Sequence, residues 1–360
     1  MLGRSSRQAA RRSQSGTCGS RRKSLPTFLY CVAALFAPLD SAYALGGQPL
    51  LATRTIALPE VSGRIDHLAV DLKRKRLFLA ALEQNSVVVV DLATGRVAET
   101  VGNLQKPQGL LYVPSLDRLY VASGKDGTLK TFDGASLMPS GSVTVSLGAD
   151  AIGYDPRANE IYLGSGGSDA GKERGDLTIF DAKTLRQKAA LSTDSHAGGS
   201  IGDASGRRMF VLVPEKNEVL VMDRRTHRVK ATWTVPGIQK DVAIALDEKN
   251  RRLFLGVRSP PSIVVLDSDT GEKVADVPTA ATLDGLSFDV ATRRIYTTGG
   301  EGFLDVTQQV DANHYRQIDR IKTGPIARTS LFVPEWKSLF VAVPREKNRS
   351  AELRVFKVVP

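Results

Sequence analysis

The chain has 360 residues, with 49 Lys and Arg against 38 Asp and Glu and a formal charge of +11. Much of that excess is N-terminal: residues 1–44 hold seven basic side chains (Arg4, Arg7, Arg11, Arg12, Arg21, Arg22, Lys23) against Asp40, leaving 42 basic and 37 acidic residues beyond. Both cysteines, Cys18 and Cys31, lie in that leader, so the remainder offers no disulfide, thiolate nucleophile, cysteine-ligated zinc or c-type haem attachment.

Arg21-Arg22-Lys23 precedes an apolar run over Phe28–Leu39, and Ala42-Tyr43-Ala44 puts small residues where a signal peptidase reads. The pattern predicts a secretory signal peptide over residues 1–44, cleaved after Ala44. The run contains Pro38 and falls short of the roughly 20 residues a spanning helix needs. The mature chain is therefore expected to be periplasmic or secreted, with no transmembrane segment. Ser20–Leu25 partly resembles a twin-arginine signal, and the export route stays open.

Residues 45–360 read as one repeat array. Asn85–Val101 shows the unit: a β-branched run, Val87–Val90, then a turn over Asp91–Gly95, then a returning strand. The same turn aspartate recurs at Asp133, Asp181, Asp223 and Asp267, at steps of 42, 48, 42 and 44 residues. A second anchor, in strands reading RLFLA or similar, falls at Leu77, Leu119, Ile161, Met209, Leu253, Ile295 and Leu339. Six residues before it stand Asp71, Asp155, Asp203, Asp247 and Asp289, with valine at 113 and 333. Short strands at a period near forty predict an all-β, seven-bladed propeller of four-stranded blades.

Blade one spans about Asp66–Val101, blade two Gln108–Val145, blade three Asp150–Leu191, blade four Gly198–Val235, blade five Asp241–Val277 and blade six Asp284–Ile321. Blade three carries a Gly-rich insertion, Gly164–Gly175, expected to be a flexible loop. Blade six lacks a turn aspartate, which predicts a longer last hairpin. Blade seven, Arg328–Pro360, is one strand short, while Arg54–Leu58 precedes blade one with no blade of its own. That strand is expected to complete blade seven and close the ring, removing the open edges.

The strand text, RLYVAS…LKTFD, RLFLGV…IVVLD, NSVVVVDLATGRV and KPQGLLYVP, resembles the YVTN/YncE-like seven-bladed propellers of secreted bacterial proteins. The resemblance covers Arg54 to the C-terminus. It implies a binding or scaffolding role, some members being implied to bind DNA. Related propellers include lactonases and subunits of periplasmic redox enzymes, and fold alone does not choose among them.

Three patterns bear on function. Gly198-Gly199-Ser200-Ile201-Gly202 matches the hydrolase nucleophile elbow, but it opens an inner strand with no helix behind it, so it reads as coincidence. The first residues of the inner strands should converge on one channel mouth: Asp66, Gln108, Asp150, Asp284 and Arg328, with His67, His196 and Asp241 beside them. Such a set suits a small polar ligand or a divalent cation, against the plainer reading of a wetted rim. His227 and His314 read as surface residues. On the opposite face the turns between the first two strands carry Lys73, Arg74, Arg208, Arg252 and Arg294 among fourteen basic residues, a face that would attract an anionic surface or polyanion. The plainer reading there is turn solubility.

These observations point to a periplasmic binding or scaffold protein whose protein or small-molecule ligand is unknown, with no evident cofactor. The alternatives are a metal-assisted, lactonase-like hydrolase, with His67 or His196 as general base, and an accessory subunit of a periplasmic redox complex.

Overall fold

The computed structural model describes residues 47–360, apart from the side chain of Asp241. The expected signal peptide lies outside the described residues. No helix among these is long and apolar enough to cross a membrane.

The described chain is an all-β, seven-bladed propeller. Each blade is a four-stranded antiparallel sheet whose strands, a to d, lie side by side in chain order. Blade one shows the pattern: strand a Ile65–Asp71, b Arg76–Ala81, c Ser86–Asp91 and d Arg96–Val101. Blade seven is the exception the sequence predicts. Its outermost strand is the N-terminal Leu50–Leu58, paired antiparallel with Ala351–Val358 and bulged between Ala52 and Arg54. The closing strand is four residues longer than the segment expected, because Leu50 also finds an apolar seat.

Period-2 alternation explains where the core sits. In strand b of blade one, Leu77, Leu79 and Ala81 join the apolar cluster shared with blade seven, whereas Phe78 and Ala80 join the one shared with blade two. Both faces are buried, so the strand reads as a continuous apolar run. Among the described residues there are seven such clusters, one between each pair of neighbouring blades. The core is thus a ring of interfaces. Strand d is the solvent face, with five consecutive exposed residues in Arg96–Thr100.

The turn aspartates behave as their spacing predicts. Asp91, Asp133, Asp223 and Asp267 each accept backbone N–H bonds from residues two and three further on, and Asp181 accepts one from Thr184. In blade six Gln308 takes the aspartate's place opposite Arg294, and Asp311 caps the turn instead. That hairpin is longer, as expected: Thr307 pairs with Gln317, whereas the equivalent Leu266 pairs with Lys273. The blade-three insertion is narrower than expected. Gly164–Gly166 belong to strand b, and Gly167–Ala170 form a 3-10 turn before strand c begins at Gly175. Gly109 is required by close approach, since a Cβ there would lie 1.8 Å from the Asp150 carbonyl oxygen of the next inner strand.

Candidate functional site at the channel mouth

Strand a of every blade pairs with strand b in the same register: Leu68 with Leu79, Leu110 with Val121, Ile152 with Leu163, Ser200 with Val211, Ile244 with Leu255, Leu286 with Thr297, Ser330 with Val341. Two residues before these points stand Asp66, Gln108, Asp150, Gly198, Val242, Asp284 and Arg328. The inner strands line a central channel of about 210 Å³, walled by small residues such as Gly109, Ala151, Gly199 and Gly285 and by aliphatic ones such as Leu110 and Ile244, with His67 and Asp284 its charged or titratable members.

Charged groups from several blades meet at this mouth. Arg64 Nη2 lies 2.8 Å from Asp66 Oδ2 and 3.7 Å from Asp284 Oδ2. Asp284 is also held by Arg258 Nη2 at 2.7 Å and by Arg328 Nε at 3.0 Å. Across the channel, His67 Nε2 is 3.7 Å from Asp150 Oδ1. The His67 ring is 42% exposed and lines the channel, whereas Asp66 and Gln108 are 1% exposed. Among the described residues, twelve buried side-chain polar atoms have no hydrogen-bond partner within the protein. Six belong to this cluster and its rim: Arg64 Nε, Asp66 Oδ2, Gln108 Oε1, Asp150 Oδ1, Asp284 Oδ2 and Arg328 Nε. Several are charge-paired, but none is aligned for a hydrogen bond. Buried polar groups are normally satisfied, and half of the unpartnered ones among the described residues gather at this opening.

Electrostatics follow from the crowding. Burial raises the Asp66 carboxyl to about 6, and the neighbouring Asp150 pushes the same way. Burial opposes charge on His67, but Asp66, Asp150 and Asp284 outweigh it and raise that imidazole. Burial pushes the Arg328 guanidinium down, with Arg64 and Arg258 adding to it against the pull of Asp284.

Sequence reasoning placed Asp66, His67, Asp150, Asp284 and Arg328 here, with Gln108 on the same ring of positions, and the structure puts them there. The His196 ring is buried, with Nδ1 3.4 Å from the Gly166 carbonyl, and it takes part in none of the mouth's ion pairs. The side chain of Asp241 lies outside what the structure describes. Arg64 and Arg258 were missed. Arg258 had a readable signal, because its equivalents in the other blades are Leu82, Gly124, Gly166, Pro214, Gly300 and Pro344. Arg64 precedes strand a, where no repeat pattern constrains the residue. Among the described residues no group of three or more His, Cys, Asp and Glu side chains is arranged to hold a metal ion.

The opposite face needs a correction. Its basic residues fall into two sets. In five blades the first residue of strand b is an arginine that reaches sideways to the next blade. Arg76 donates to the Gly134 carbonyl, Arg118 to that of Lys183 (2.7 Å), Arg208 to that of Ser268 (2.7 Å), Arg252 to that of Ala312 (3.0 Å) and Arg294 to that of Val359. Arg74 is likewise clamped, bridging Asp71 and Asp117 of the next blade. Of the five residues singled out, Lys73 alone is exposed. The exposed charges are instead those beside it and those just ahead of strand b, such as Lys75, Arg207, Arg251 and Arg293. Reversing Arg208, Arg252 and Arg294 to glutamate is therefore expected to lower the melting temperature by several degrees, each lost clamp contributing about 1 kcal/mol. Reversing Lys75, Arg207 and Arg293 should leave it unchanged, and equal melting of the two variants would contradict this division. His227 also proves half-buried, 2.9 Å from Glu160 Oε2, while His314 is exposed as expected.

This fold and its mouth define a seven-bladed β-propeller with a charged channel opening. Solved structures similar to it in fold include the following two. A chain of Kuenenia stuttgartiensis hydrazine synthase aligns with a TM-score of 0.68 at 14% identity, covering 79% of this chain and 94% of that one. The RRP9 WD40 repeats align with a TM-score of 0.68 at 11% identity, covering 86% and 100%. At such identities the likeness is one of fold. No protein-family model matches the chain, and no curated protein matches it in sequence.

Proposed function

We propose that this chain is an exported propeller of the binding or scaffold type, as the YVTN/YncE-like resemblance implies, and that it recognises its ligand at the channel mouth. The observation that carries this reading is the convergence of unsatisfied buried polar atoms on one opening. The neighbouring propellers, one in an enzyme and one built of WD40 repeats, fit a fold used as a platform. A hydrolytic reading has less support, since three guanidiniums surround Asp284 where a cation would need free carboxylates.

The test is native purification of the exported protein, followed by identification of what it carries. The combined variant Arg64→Met, Arg258→Met, Arg328→Met is expected to lose the bound species while keeping its circular dichroism and a cooperative melt. An identical complement on the variant would refute recognition at the mouth.

A further inference from the structure

The charges at the mouth are not evenly mixed. Arg258, from the end of strand b in blade five, and Arg328, opening blade seven, both converge on Asp284, and Arg64 approaches the same carboxylate at 3.7 Å. Arg64 is shared, its Nη2 lying closer to Asp66 at 2.8 Å, so two guanidiniums and part of a third face Asp284 and leave that side positive. The consecutive blades one, two and three present Asp66, Gln108 and Asp150, with His67 the one basic group reaching Asp150. That side carries acceptors: Gln108 Oε1 and Asp150 Oδ1 lack hydrogen-bond donors from the protein, Asp66 Oδ2 meets only the Arg64 guanidinium, and Asp66 and Gln108 are 1% exposed. On the other side Arg64 Nε has no acceptor within the protein, and Arg328 Nε meets only Asp284 Oδ2, at 3.0 Å.

An ammonium group has three N–H donors and no acceptor, and a carboxylate accepts from paired guanidinium donors. The channel below, about 210 Å³, suits a small molecule. We propose that the mouth binds a small zwitterion of the α-amino acid type, its carboxylate on the Arg258–Arg328–Arg64 side and its ammonium among Asp66, Gln108 and Asp150. This rests on the mouth being the recognition site and names the chemistry it selects. Burial raises the Asp66 carboxyl and lowers the Arg328 guanidinium, so each would gain from a further opposite charge on a ligand.

Calorimetric titration with glycine and L-alanine, beside acetate and methylammonium as half-ligands, tests the assignment. The amino acids should bind at least about tenfold more tightly than either half-ligand, since charge-assisted hydrogen bonds at each end add to affinity. Asp150→Asn should weaken glycine about tenfold while sparing acetate, and Arg328→Met should abolish acetate binding while sparing methylammonium. Gln108→Leu, which changes no charge and keeps the volume, should weaken glycine and methylammonium together, and guards against misfolding of the charge variants. Acetate or methylammonium binding as tightly as glycine would overturn the zwitterion and leave the mouth as the site. Absence of binding by both amino acids would also overturn it, whereas the mouth reading is decided separately by what the triple arginine variant carries.

Discussion

Deleting residues 47–58 is expected to destroy the single cooperative melt of the propeller. The strand they form supplies Leu50, Ile56 and Leu58, each at most 2% exposed. These do not serve one interface. Ile56 and Leu58 belong to the cluster between blades seven and one, and Leu50 to that between blades six and seven. Burial of three aliphatic side chains contributes roughly 5–9 kcal/mol, comparable with the roughly 5–15 kcal/mol by which a folded domain exceeds its unfolded state. Arg54 adds hydrogen bonds to the Leu92 and Thr94 carbonyls of blade one, tying the closing strand across the seam. Loss of the strand also exposes the backbone edge of Ala351–Val358. Calorimetry should show a midpoint lower by about 10 °C or more, or no resolved transition. A melt like that of the full propeller would mean that the ring closes without it.

The second large effect is expected at Arg224. Its side chain is 5% exposed and spans blades three and four. Nε donates to Asp155 Oδ2 at 2.6 Å and Nη1 to the Asp203 carbonyl at 2.6 Å, with Nη2 against Asp155 Oδ1. Asp155 is 1% exposed. Arg224→Met leaves that carboxylate buried without its charge partner, a loss expected to cost about 3–5 kcal/mol. Asp155→Asn combined with Arg224→Met removes the orphaned charge and should recover part of this. The pH dependence separates the two explanations. Burial opposes ionisation of Asp155, but hydrogen bonds from Arg224 and the Ala158 and Arg157 amides outweigh it, so its folded pKa lies below the ordinary aspartate value. A carboxyl lowered on folding contributes stability above its unfolded pKa, about 3.9, and loses it as pH falls through the folded value. The parent's advantage over Arg224→Met should therefore hold above about pH 4 and shrink in more acidic solution. A difference independent of acidity would assign the loss to packing alone.

The fold was legible because its signals are local and repeated. One aspartate per hairpin caps its turn through bonds two and three residues on, and the apolar b strands alternate between two interfaces. Ring closure was legible by counting strands. The mouth was legible as far as the repeat register carries it, which is why Asp66, Gln108, Asp150, Asp284 and Arg328 fall on equivalent positions. It failed where position is set by contacts outside the repeat. Arg64 and Arg258 lie at strand ends, and packing between blades brings Arg258 to Asp284 and Arg64 within 3.7 Å of the same carboxylate. His196, close in sequence to the opening of blade four, is buried beside the Gly166 carbonyl at the end of strand b in blade three. The basic face misled for a related reason. A charge count records arginines in turns but not the neighbouring blade's carbonyls 60 residues away that Arg208 and Arg252 bond.

Amide hydrogen exchange, read with and without the bound species recovered from the native protein, tests the central claim most directly. The account predicts added protection where the inner strands open, at residues 64–68, 107–110, 284–286 and 328–330, with the turns at Lys75, Arg207 and Arg293 unchanged. Protection confined to those turns, with the inner-strand openings unaffected, would contradict recognition at the channel mouth.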